Sequence, residues 1–254
     1  MAFRSECHFG PQAEGNLVQE STLRRSELDD VRKRLGGLDE LYCDLSACRR
    51  CAEAGYFIGS TPIFSSAPGA VFMTVGQAPG RHEADVTHLP FSGRAGRRLF
   101  RWLAQSGFDE AEFRATQAMT AITKCYPGPH PGGRGDRVAS REEQALCSPW
   151  LERELAVANP KVLILIGGLA IGRFLGRDQP MTGLVGTQFV QGGRTLVALP
   201  HPSGASQWFN RPENKARLAQ ALQILARLRE EWLWGRSGVG VQAPSPAEFA
   251  GPYP

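Results

Sequence analysis

Pro160-Lys-Val-Leu-Ile-Leu-Ile-Gly167 is the stretch on which the fold turns. Five consecutive aliphatic residues between a proline and a glycine suit a short strand buried on both faces. Working outward, Val71–Gly76 (VFMTVG), Ala118–Lys124 (AMTAITK) and Thr195–Leu199 (TLVAL) read the same way. Helical patterns lie between these strands at Gly93–Ser106, Arg141–Ala158 and Leu169–Leu175. Pro212–Trp234 is a closing helix, with Pro212 suited to its first turn and Glu213 behind it. Strands alternating with helices predict an α/β fold whose mainly parallel sheet is covered on both faces. Such sheets bind ligands at the carboxyl ends of their strands. Upstream, Leu23, Leu28, Val31, Leu35, Leu38 and Leu41 recur at helical spacing and predict an amphipathic helix. Residues 1–20 and 236–254 lack periodicity and read as tails, leaving one domain over residues 21–235.

Cys48 and Cys51 form a CxxC pair, and Cys125 and Cys147 follow the second predicted strand. Four thiolates so arranged suit a tetrathiolate metal or cluster site. A thioredoxin-type redox pair at Cys48/Cys51 would need a preceding strand, and none is predicted. Cys7 and Cys43 are left over as ordinary thiols. No apolar run approaches the roughly 18 residues that span a bilayer. The first fifteen residues contain no apolar core of a secretory signal, so a cytoplasmic location is expected. Of the 29 cationic side chains 25 are arginine. Arginine grips phosphate in a bidentate way, which makes nucleic acid an expected partner, with GC-rich coding the competing source of the bias.

Three strand ends carry unusual sequences. The first ends in Gly76-Gln-Ala-Pro-Gly80, followed by Pro90-Phe-Ser-Gly-Arg-Ala-Gly96 at a helix start. Gly76 and Gly80 allow backbone to approach a ligand, and such a loop can aim peptide N–H groups at a carbonyl oxygen. The last strand ends in Pro200-His201-Pro202-Ser203, where two prolines hold the histidine in a rigid loop. A histidine so held can donate to a developing anion; the competing reading is an ordinary exposed turn.

Taken in order, Cys48-Arg-Arg-Cys51, Gly76-Gln-Ala-Pro-Gly80, Pro90-Phe-Ser-Gly-Arg-Ala-Gly96, Thr123-Lys-Cys125, Cys147-Ser-Pro-Trp-Leu151, the buried strand 160–167 and His201-Pro-Ser203 resemble the uracil-DNA glycosylase superfamily, in its iron–sulphur-bearing branch. The resemblance runs from about Leu41 to Trp232. It implies a three-layer α/β/α sandwich with a central four-stranded sheet. It also implies a [4Fe–4S] cluster on Cys48, Cys51, Cys125 and Cys147, with zinc on the same thiolates as the competing reading. The implied activity is hydrolysis of the bond that joins uracil to DNA, after the base is flipped out of the duplex. Phe91 would then stack on the base, with Gly76, Gln77, Ala78 and Ala121 around it. His201 would donate to O2. Arg94, Ser203, Gly204, Ser206, Gln207, Arg134 and Arg137 would face DNA, with Gln207 or Trp208 as the wedge. Phe57, Tyr126 or Pro79 would exclude the methyl group of thymine. A monomer acting on uracil-containing DNA, with no membrane partner, is expected.

Three positions depart from the family pattern. Gln77 stands where many cluster-bearing members carry an acid, Ala121 where many carry an asparagine, and Arg94 where another branch has an aspartate. The usual proton acceptor and the usual reader of the base are therefore both missing. Glu83 and Asp85, in the following loop, are the carboxylates expected to align a water, or else are solvated loop charges. The departures keep two alternatives open: a non-cleaving binder of uracil-containing or damaged DNA, and a glycosylase for other deaminated bases such as hypoxanthine or xanthine.

Overall fold

The computed structural model describes residues 25–133, 135–203 and 207–234, with the side chains of residues 25–35, 207 and 234 left aside. Five strands form one sheet: β1 (Phe72–Gly76), β2 (Ala118–Ala121), β3 (Val162–Ile166), β4 (Gln188–Gln191) and β5 (Arg194–Leu199). Their order is β2-β1-β3-β5-β4. The β1–β2, β1–β3 and β3–β5 pairs are parallel, and β4 runs antiparallel to β5. Every residue of β1, β2 and β3 is buried. Since successive side chains point to opposite faces, both faces of the sheet are covered.

The sheet has five strands where the sequence predicts four. The addition is the edge strand β4, joined to β5 through Gly192 and Gly193, both at positive φ (57° and 74°). Two consecutive glycines in this conformation make a tight hairpin whose twist matches its strands. The strand escapes an apolar pattern because it lies at the rim: Val190 is 73% exposed.

The helices are α1 (Arg25–Ser46), α2 (Arg50–Glu53), α3 (Arg94–Gln105), α4 (Glu110–Thr116), α5 (Arg141–Ala158), α6 (Gly167–Leu175), α7 (Met181–Leu184) and α8 (Pro212–Arg229). Of these, α5 starts on a capping box in which Ser140 and Glu143 satisfy each other's backbone N–H. Proline opens α8 as the sequence predicts. The main core gathers β1–β3 and β5 with Leu99, Leu103, Phe113, Leu151, Leu218 and Leu222 from the helices. A second, smaller core lies between α1 and α5, where Leu38, Leu41 and Leu45 pack on Cys147 and Trp150. That contact joins the N-terminal helix to the domain beside two of the four motif cysteines.

Candidate active site

The parallel strands β1, β2, β3 and β5 all end on one edge of the sheet, and above that edge lies an open cleft of about 1510 Å³. Two of its walls are aromatic rings seated on glycines. A side chain at Gly76, the last residue of β1, would put its Cβ 2.8 Å from the Phe91 ring. One at Gly167, directly after β3, would lie 3.0 Å from the His201 ring. Gly167 also has φ +83°, a conformation other residues rarely adopt. Glycine at both strand ends therefore lets two flat groups descend onto the sheet edge.

Phe91 is itself held at φ +53°, an uncommon conformation for a bulky residue that functional sites often contain. Arg114 on α4 holds it there. Its guanidinium donates to the carbonyl oxygens of Pro90 (2.8 Å) and Phe91 (2.9 Å) and lies over the Phe100 ring. A Cβ at Gly96 would fall 1.7 Å from the Phe91 carbonyl oxygen, so no other residue fits at that point of α3. Glu83, 8% exposed, ties the two loops of the site together. One carboxylate oxygen accepts from the Gly80 N–H (3.2 Å) and the other from the Gly93 N–H (2.9 Å).

After the end of β5, His201 Nδ1 accepts the Ser203 backbone N–H at 3.2 Å. The ring proton therefore belongs on Nε2. Burial lowers the imidazole pKa below its ordinary value of 6.5, so at neutral pH the ring is an uncharged donor. Just past the ends of β1 and β2, the Gln77 carbonyl accepts from the Thr123 N–H. Among the described residues, the N–H groups of Gln77 and Ala78 have no acceptor, and both residues line the cleft. Arg94, Arg97, Arg98 and Arg101 follow α3 along the same cleft.

Behind the end of β2, a second cavity of about 420 Å³ is lined by Cys48, Cys51, Cys125 and Cys147 together. All four thiols are free. Burial first, then the neighbouring thiols, pushes Cys51 up to about 11 and Cys125 up to about 12. Trp150 Nε1–H donates to Cys48 Sγ (3.1 Å), and Lys124 N–H to Cys147 Sγ (3.4 Å). Among the described residues, no three His, Cys, Asp or Glu side chains converge as they would on a single metal ion.

Residues 64–226 match the family model of the uracil DNA glycosylase superfamily. The chain belongs to that superfamily. It is 32% identical over 131 residues to a type-4 uracil-DNA glycosylase of Thermotoga maritima, covering 51% of this chain and 62% of that protein. Type-4 uracil-DNA glycosylases of Sulfurisphaera tokodaii (27% over 134 residues, 52% and 56% covered) and Archaeoglobus fulgidus (31% over 137 residues, 52% and 61%) are also similar. These matches span less than two thirds of the relatives' own lengths.

Within this uracil-DNA glycosylase fold, Gly76, Gln77, Ala78, Phe91, Ala121, His201 and Ser203 come together around one cleft, with Glu83 and Arg94 also on its wall. Other expected site residues lie elsewhere or are already engaged. Asp85 is outside the cleft, half exposed and 3.3 Å from Arg81 on the same turn. Arg137 does not stand free for phosphate: both its terminal nitrogens are 2.6 Å from the Glu143 carboxylate, which is itself buried. Trp208 anchors its loop from inside, packed against Phe209 and the core. Phe57 is 61% exposed, whereas Tyr126 is buried and Pro79 lines the cleft. Arg134, Gly204, Ser206, the Gln207 side chain, Cys7 and both predicted tails lie outside the described residues. Two residues have a structural role that the sequence does not signal. Arg114 sits on a helix too short to show a clear period. Lys124, 1% exposed, lies 2.5 Å from Glu154 and also donates to Thr120 Oγ1 and the Ala121 carbonyl. That buried ion pair joins the end of β2 to α5, between the cleft and the cysteines.

Proposed function

We propose that this chain is a DNA-repair uracil-DNA glycosylase that takes uracil, turned out of DNA, into the cleft and hydrolyses its N-glycosidic bond, leaving an abasic site. The observation that carries this is the pairing of Phe91 and a neutral, Nε2-protonated His201 on the glycines that end β1 and begin α6. An aromatic ring above a glycine offers a flat seat for one base and excludes water from one face of it. The free N–H groups of Gln77 and Ala78 then meet a uracil carbonyl. As the C1′–N1 bond breaks, its electron pair moves onto the base, and negative charge grows on the carbonyl oxygens. His201 Nε2–H donates to O2 at that stage without first losing a proton. One such donor is worth roughly 10²–10³ in rate. Arg94, Arg97, Arg98 and Arg101 meet backbone phosphates along α3, and Ser203 faces DNA from the other side.

Cys48, Cys51, Cys125 and Cys147 would hold a [4Fe–4S] cluster. The four cysteines line one cavity, and an all-thiolate donor set suits such a cluster, with zinc on the same thiolates as the competing occupant. The cluster would supply a structural cross-link between the α1–α2 arm and the end of β2. Trp150 and the Lys124 amide then direct N–H groups at two of its sulphur ligands. In this reading residues 21–235 act as one domain and the protein as a monomer in the cytoplasm; among the described residues, no helix is long and apolar enough to cross a membrane.

A single-turnover assay on a labelled oligonucleotide with one uracil, followed by mild alkali, tests the proposal. Strand breakage at the uracil is expected. An oligonucleotide that is bound but left intact would make the protein a binder. Breakage only at hypoxanthine or xanthine would assign the site to other deaminated bases, consistent with the small, non-polar Ala121 at the end of β2.

A further inference from the structure

Hydrolysis needs a group that receives the proton of the attacking water, and Gln77 cannot do this. Four carboxylates line the cleft: Glu83, Asp109, Glu110 and Asp136. Glu83 has one oxygen on each of two backbone amides and serves as a brace. Asp109 caps α4 and Glu110 pairs with Arg114. Both side chains are thereby engaged within α4.

Asp136 is placed differently. It belongs to the glycine- and proline-rich loop between the third and fourth cysteines, yet its position is defined on three sides. A β-bridge pairs its backbone with Pro129. The next residue, Arg137, is held to Glu143 by two 2.6 Å contacts. Tyr126 donates its hydroxyl to Asp136 Oδ1 at 2.9 Å. The other oxygen, Oδ2, lies 3.1 Å from where a Cβ of Gly80 would be. It therefore sits on the loop whose Gln77 and Ala78 face the base site, three residues from Gln77. Among the described residues Oδ2 has no hydrogen-bond partner.

We propose that Asp136 is a catalytic carboxylate that orients and deprotonates the attacking water, in place of the acid missing at position 77. The inference rests on the glycosylase reading above. The water oxygen forms a bond to C1′ while the C1′–N1 bond breaks. The bonding pair leaves with uracil, stabilised by His201, and the water proton passes to Asp136 Oδ2 and then to solvent. Tyr126 is a positioning residue, since it turns Oδ2 toward the cleft by occupying Oδ1.

Single-turnover rates and DNA affinities of the wild-type protein, Asp136→Asn and Tyr126→Phe test this. Affinity is measured on an oligonucleotide whose 2′-fluorinated deoxyuridine resists cleavage. Asp136→Asn is expected to lose roughly a hundredfold in rate, at the lower end of general-base assistance, with affinity unchanged. Tyr126→Phe, which keeps the carboxylate, is expected to lose less. An Asp136→Asn protein as fast as wild type, or one whose affinity falls as far as its rate, would overturn the role of Asp136 alone. A wild-type protein that leaves uracil in place would refute the glycosylase reading, and this inference with it.

Discussion

At the scale of single residues, His201 separates chemistry from scaffold. Its Nδ1 is occupied by the Ser203 amide and its ring rests on Gly167, so Nε2–H is the atom left for a ligand. His201→Ala removes that donor without leaving a buried charge behind. The expected result is a rate lower by roughly 10²–10³ with DNA affinity largely kept; an equally active variant would refute the assignment. The same ring sets a pH dependence of stability. Its folded pKa lies below 6.5, so the unfolded chain binds more protons between the lowered value and 6.5. The contribution of neutral His201 is therefore present above about pH 6.5 and is lost as pH falls through that window. Urea titrations at pH 5 and pH 7 should show a smaller difference for His201→Gln than for wild type. An unchanged difference would mean that His201 is not the titrating group.

Among the elements, charged pairs determine which loops stay in place. Arg114 carries Pro90 and Phe91 on α4, and Glu83 links the loop after β1 to the start of α3. Arg137 links the loop before α5 to the capping box of that helix through Glu143, which is 2% exposed. Hydrogen bonds from Arg137, the largest cause, outweigh burial and hold the Glu143 carboxyl below its usual range. Arg137→Ala leaves that carboxylate buried without its partner, which costs about 3 kcal/mol. Chemical denaturation should show the loss, and adding Glu143→Gln should restore part of it. If Arg137→Ala were neutral in stability but weakened DNA binding, the phosphate role predicted from sequence would be the correct one. The hairpin strand β4 and the helix α4 show how far local pattern reaches. A four-residue strand at the rim and a seven-residue helix bury too few side chains to establish a period, though Gly192-Gly193 and the Asp109 cap do mark their turns.

Over the whole molecule, the cysteines lie on the smaller of two cores. The larger covers the sheet, and the smaller joins α1 to α5 through Leu38, Leu41, Leu45 and Trp150. The cavity of the four thiols lies where the α1–α2 arm, the end of β2 and α5 converge. Purified protein is expected to be brown, with iron and sulphide in the ratio of a [4Fe–4S] cluster. Cys48→Ser should lose the colour and become sensitive to protease near α2 while the sheet persists. Colourless wild-type protein with one zinc per chain would overturn the cluster proposal.

The alternation of buried strands and helices, the glycines at the strand ends and the order of the four cysteines were all legible in the chain, because covalent spacing and short-range periodicity carry them. His201 could be singled out by the prolines that bracket it, and Phe91 through the family resemblance of the motif that holds it. The partners of the charged groups were not legible. Glu83 braces two loops, Arg137 is committed to Glu143, and Asp136 reaches Gly80 across 56 residues of sequence. A charge has no period, and its role depends on what long-range packing brings within about 3 Å of it. The sequence by itself determined the scaffold and the motifs at its strand ends; the tertiary structure decided how two rings sit on that edge, and which carboxylates and arginines are bound up in holding it together and which are left facing the cleft.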